Sequence, residues 1–183
     1  MKGKQMVLTR FMDSLNSYEL PTWEELPKLD LYMDQVITLM EEYLRIYHAE
    51  KEKLITPSMI NNYVKLGVIP KPNKKRYGRL HLAYLIMVCS LKQVVSISVI
   101  QQMLPLSLTE KEVEQAYSAF TAAQKQVASV ATKQVMDAMD DLYAKENAAF
   151  SDFSGFSVQV ALTGSIYKIL SELIVENLQE IMN

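Results

Sequence analysis

The amino-acid sequence predicts an all-α protein. Only five glycines occur in 183 residues, and apolar residues recur mostly at intervals of three and four rather than two, the spacing of helices with one buried side. About half of the residues are hydrophobic, enough for a substantial core in one domain or two small ones. A short basic stretch departs from the helical pattern and leaves room for one small hairpin at most.

In chain order, a first helix is expected over residues 4–17, ending before a linker at Pro21 and Trp23. A second is expected after Pro27, with Leu29, Tyr32, Met33, Val36, Met40, Tyr43, Leu44 and Tyr47 as its apolar stripe. The third opens at Thr56, whose hydroxyl can satisfy an orphan N–H, and Pro57, which lacks one to lose. It is expected to run to about Leu66, where Gly67 can take the left-handed conformation that ends a helix. Prolines at 70 and 72 then discourage helix, and "NKKRY" reads as the tip of a basic hairpin or wing. An apolar helix follows from about Leu80 to Gln93, then a short one capped by Ser96 or Ser98 and stopped by Pro105.

Beyond Pro105 a capping box, Thr109 to Glu112, opens one or two helices reaching about Lys145, with Val113, Ala116, Phe120, Ala123, Val127, Val130 and Gln134 as a seam. "NAAFSDFSGFS" reads as a loop. Ile166, Ile169, Leu170, Leu173, Ile174, Leu178 and Ile181 then predict a final amphipathic helix. The expected domains are an N-terminal helix and linker (1–28), a central domain (29–105) and a C-terminal helical module for dimerisation or effector binding (106–183).

Charge is distributed unevenly along this framework. Between Lys53 and Thr109 lie 57 residues with eight Lys or Arg and no acid, so the other 126 residues hold 11 Lys or Arg against 21 acids. The middle thus carries +8 and the remainder −10, an asymmetry that points to an anionic partner. On the third helix, Met59, Ile60, Tyr63 and Val64 fall on one side, and Ser58, Asn61, Asn62 and Lys65 fall opposite. Ordinary solvated faces are rich in Glu and Lys pairs, whereas Ser, Asn and Lys hydrogen-bond to base edges and phosphates. These four residues are therefore expected to face a groove of double-stranded DNA. Lys71, Lys74, Lys75, Arg76 and Arg79 are expected to hold phosphates, and Tyr77, with Tyr63, to fix the wing and helix in place. The plainer reading of both segments is a polar surface and a solvated loop.

The order of helix, "LGVIP", basic wing, "RYG", apolar helix and "SLKQVVSISVIQQML" resembles the MerR-like winged helix-turn-helix, with Tyr63, Gly67, Ile69, Arg76, Tyr77, Leu91 and Ile100 at matching positions. Asn61 and Asn62 stand where that pattern has Arg-Tyr, so its arginine contact does not carry over. "LDLYMDQV", "MINNYVKLGVIPKPNKKRY" and "HLAYLIMVCSLKQVVSI" are similar, over roughly residues 20–125, to an uncharacterised bacterial domain-of-unknown-function family, number 1836. That resemblance implies a DNA-binding fold without supplying a biochemistry.

Enzyme signatures are missing from the sequence. His48 and His81 have no metal-ligand spacing, no glycine-rich phosphate loop occurs, and Ser151, Ser154 and Ser165 sit in no nucleophile motif. Asp137, Asp140 and Asp141 read as a solvated face. Cys89 has no disulfide partner and lies in an apolar run, which fits a reducing, cytoplasmic setting. That run, residues 80–91, is too short to span a bilayer, and the N-terminus does not read as a signal peptide. No cofactor and no membrane partner are expected. Two rival classes remain: a module that docks an acidic protein, and a protein whose C-terminal helices bind a small-molecule effector.

Overall fold

The computed structural model describes residues 9–10, 12–47, 53–145 and 147–181. Among these the secondary structure is helical, apart from two isolated β-bridges. The elements are helical residues 12–16 (α1), α2 Met33–Tyr43 with a 3-10 turn Arg45–Tyr47, α3 Pro57–Lys65, α4 Arg79–Leu91, α5 Ile97–Met103, α6 Glu110–Ala144, α7 Phe150–Glu176 and α8 Leu178–Ile181. They fall into two compact units. One is Glu19–Ala123; the other joins Met1–Tyr18 to Gln124–Asn183.

The Glu19–Ala123 unit is built around α4. Residues 82–90 of this helix are all buried, because a helix that is apolar on every side needs neighbours on every side. Against it lies α2, which contributes Val36 and Met40, and α3 lies against α2 and contributes Ile60 and Tyr63. Each such side chain stabilises the fold by about 1.5–3 kcal/mol through the apolar area it removes from water. Tyrosines tie loops to this core: the Tyr84 hydroxyl donates to the Pro105 carbonyl at 2.8 Å and the Tyr117 hydroxyl to that of Pro21 at 2.7 Å. Trp23 packs near Tyr117, with ring centroids 6.3 Å apart. The compact unit thus reaches beyond residues 29–105 at both ends, because Trp23, Leu26, Val113 and Tyr117 are part of its buried core.

The helix expected from Leu29 starts only at Met33. Leu31 is extended and exchanges both backbone hydrogen bonds with Tyr77, at 2.9 Å each, so residues 29–32 do not join a helical stripe. Leu29 is 80% exposed and Tyr32 half-exposed. Regular helix ends at Tyr43; His48 and its neighbours lie outside the described residues.

Of the seam expected along α6, Val113 is buried in the Glu19–Ala123 unit, whereas Val127 and Val130, in the second unit, are exposed. The segment "FSDFSGFS" expected as loop is helical. Asp152 accepts the Ala149 N–H at 2.9 Å and closes the first turn of α7, and its salt bridge to Lys145 spans the connection. The expected amphipathic helix is not one-sided either. From Ser157 to Leu170 every residue of α7 is exposed. Among the described residues this helix is long and apolar enough to cross a membrane, by length and composition alone.

Candidate nucleic-acid interface

Helix α3 forms as its sequence dictates. Thr56 Oγ1 accepts the Met59 N–H at 3.2 Å, Pro57 occupies the first turn, and Gly67 has φ +68, which releases the chain from the helix without a Cβ penalty. Past it, Val68 and Ile69 donate back to the Tyr63 carbonyl and are buried. Tyr63 is buried too, and burial pushes its hydroxyl up to about 12. With this side fixed, Ser58, Asn61, Asn62 and Lys65 are all exposed. The face contains no carboxylate, and Gln101 Nε2 from α5 donates to the Leu66 carbonyl at 2.6 Å, bracing the helix end.

The hairpin is small and tightly turned. Asn73 and Arg76 exchange backbone hydrogen bonds of 3.2 and 2.9 Å across Lys74 and Lys75, which have φ of 50° and 62°. Two residues of positive φ between paired neighbours match a type I′ connection, a position that favours Asn-Gly. Two lysines hold it here. Lys71, Lys74 and Lys75 are exposed and, among the described residues, make no ion pair. The loop before them is anchored by its backbone: His81 accepts the Gly78 N–H on Nδ1 at 3.1 Å, so its Nε2 carries the proton and donates to the Lys71 carbonyl at 3.2 Å.

Three further cations of the acid-free segment are occupied. Arg76 stays exposed, yet its Nη2 donates to the Tyr32 hydroxyl at 2.8 Å and its guanidinium lies 4.9 Å from that ring centroid. Arg79, expected to hold a phosphate, is half-buried, lies 5.5 Å from the Trp23 ring centroid, and donates to the Leu26 carbonyl at 3.3 Å. Lys92 donates to the Leu54 carbonyl at 2.8 Å. Tyr77 is buried, its backbone is paired with Leu31, and its ring meets that of His81 edge-on with centroids 5.6 Å apart. Tyr32, Trp23 and His81 are supports that the sequence did not single out as such, since their partners Arg76, Arg79 and Lys71 lie 44, 56 and 10 positions away along the chain.

Two acids lie beside the hairpin base. An open cleft of about 460 Å³ beside the hairpin base is lined by Lys28, Asp30, Arg76, Arg79, His81 and Glu110, among others. Its mixed charge contrasts with the hairpin tip and the outer face of α3. Among the described residues no group of three or more His, Cys, Asp or Glu could hold a metal ion, and Cys89 is a buried free thiol pushed up to about 11 by desolvation. Asp137 is exposed and bound by Lys133 at 3.0 Å.

The family described as Domain of unknown function (DUF1836) matches residues 21–120. This is more than half of the chain, and the protein belongs to that family. The matched span contains α2 through α5, the hairpin and the start of α6. No curated protein and no solved structure matches the chain.

Proposed function

We propose that this protein is a sequence-specific DNA-binding transcriptional regulator with a MerR-like winged helix-turn-helix, and that it carries out no catalysis. The observation that carries this reading is the outer face of α3, where Ser58, Asn61, Asn62 and Lys65 are exposed on a rigid helix without a single carboxylate. A helix fits the major groove, where an asparagine amide matches adenine N6 and N7 and serine and lysine serve other edges and phosphates. The hairpin is the wing. Lys71, Lys74 and Lys75 approach the backbone and gain by counterion release, which positions the protein without reading sequence. Arg76 and Arg79, already held by Tyr32, Leu26 and Trp23, stiffen the wing's base and add positive field.

Affinity for duplex DNA measured across salt concentrations tests the wing. Lys74→Ala/Lys75→Ala is expected to weaken binding uniformly on all duplexes and to flatten the log–log salt slope by about 1 per lysine removed. An unchanged slope would remove the wing from the interface. Tighter binding to an acidic polypeptide than to any duplex would transfer the basic surface to a protein partner.

A further inference from the structure

The apolar surface of α7 is unexplained by DNA binding. Val158, Val160, Leu162, Ile166, Tyr167, Ile169, Leu170, Leu173 and Ile174 are all 45–65% exposed. Soluble monomers rarely leave more than a few hundred Å² of contiguous apolar surface in water. Nine large side chains in this state expose an area on the order of the 800 Å² per partner that a stable interface takes.

We propose that α7 pairs with α7 of a second copy of this chain, antiparallel, about a two-fold axis passing between Leu162 and Thr163. Gly155, Val158, Gln159, Leu162, Thr163, Ile166, Tyr167 and Leu170 line one continuous open groove along the helix. Under that axis, residue positions summing to 325 face each other. Gly155 then receives the partner copy's Leu170, Val158 meets Tyr167, Gln159 meets Ile166, and Leu162 meets Thr163, so the bulky end of the stripe fills the small end. This is the self-complementarity an isologous interface requires, and Gly155 has nothing within 4 Å of a Cβ placed on it, which leaves the space open.

Charge selects the direction. Parallel pairing would set Asp152, Glu172 and Glu176 beside their own copies. Antiparallel pairing separates the two Glu172 side chains by roughly 28 Å along the axis, at 1.5 Å per residue; it sets Glu172 level with the partner copy's Asp152, whose charge Lys145 already balances, and brings each C-terminal half toward the partner helix's positive N-terminal end. A bilayer is the poorer occupant. The uncharged run from Phe153 to Tyr167 is 15 residues long, short of the ~20 that span hydrocarbon, and carries six Ser, Thr, Gln or Tyr side chains before Lys168. For a helix lying on the surface, the charged residues of α7 after Lys168 are Glu172 and Glu176, whereas anionic headgroups attract Lys and Arg.

The test uses the full chain and rests on α7 alone, independently of any DNA. Light scattering at micromolar concentration is expected to give twice the 20.9 kDa of one chain. Leu162→Glu/Ile166→Glu is expected to return it to one chain with helicity retained, since both side chains are more than half exposed within the protomer. Direction is read by cross-linking, with buried Cys89 silent. Thr163→Cys is expected to couple to itself on oxidation, and Gly155→Cys to couple only when mixed with Leu170→Cys. A single-chain mass for the native protein overturns the proposal, as does partition of single chains into phosphatidylethanolamine and phosphatidylglycerol vesicles. Self-coupling of Gly155→Cys, with none for Thr163→Cys, overturns the antiparallel axis.

Discussion

Lys74 and Lys75 are held where glycine or asparagine would cost less. A left-handed φ costs an ordinary side chain roughly 1 kcal/mol or more, and two consecutive lysines bear it at φ 50 and 62. Strain of this kind persists at functional positions, where surrounding contacts over-determine it. Lys74→Asn/Lys75→Gly is therefore expected to raise stability by about 1–2 kcal/mol in a denaturant titration while weakening affinity for duplex DNA. Unchanged affinity would mean the two cations serve the turn alone. A second residue-scale effect concerns pH. Burial raises the Cys89 thiol from 9.0 to about 11 and the Tyr63 hydroxyl from 10.0 to about 12. Both folded values lie above the unfolded ones, so the stability each contributes is complete below pH 9 and is lost as pH rises toward 12. Denaturant midpoints are expected to hold from pH 7 to 8.5 and fall between pH 9 and 11; a midpoint that stays level to pH 11 would contradict the burial of these groups.

At the scale of elements, α3 was legible because every signal for it is local. Thr56, Pro57 and Gly67 lie within twelve residues, and each does what its side chain allows. The start of α2 was misread because its determinant is distant: Leu31 is drawn into an extended pair by Tyr77, 46 positions later. Helix α7 was half-read for another reason. Gly155 and the serines around it look like loop residues, and the single Asp152 cap that starts the helix is easily outweighed by them. The same logic separates the two arginines from the lysines of the candidate site, since composition alone cannot tell a cation that reaches solvent from one clasped by a carbonyl and an indole. Arg79→Ala is expected to cost about 1–2 kcal/mol of stability, from the lost contacts to Trp23 and the Leu26 carbonyl. A loss of DNA affinity with unchanged stability would make phosphate holding the main role of Arg79.

Taken as a whole, the chain is nearly neutral at −2 while its residues from Lys53 to Thr109 hold eight cations and no acid. The structure divides those cations. Lys53, Lys65, Lys71, Lys74 and Lys75 remain exposed without an ion pair among the described residues, whereas Arg76, Arg79 and Lys92 are bonded to other parts of the fold. The sequence made the segment's polarity legible but not this division, which depends on Tyr32, Trp23, Leu26 and Leu54 arriving from other parts of the fold. The proposed reading of sequence through α3 and positioning through the hairpin rests on this division.

The measurement that tests this most directly is selection of bound sequences from random duplex DNA at about 150 mM salt, where non-specific attraction is already weakened. The native chain is run beside Asn61→Ala/Asn62→Ala. The native protein is expected to enrich a defined motif, and the double substitution to lose or relax it at adenine positions while keeping its melting temperature, since both asparagines are exposed. Recovery of no enriched sequence by the native protein, or of the same motif by both proteins, would contradict base reading by α3.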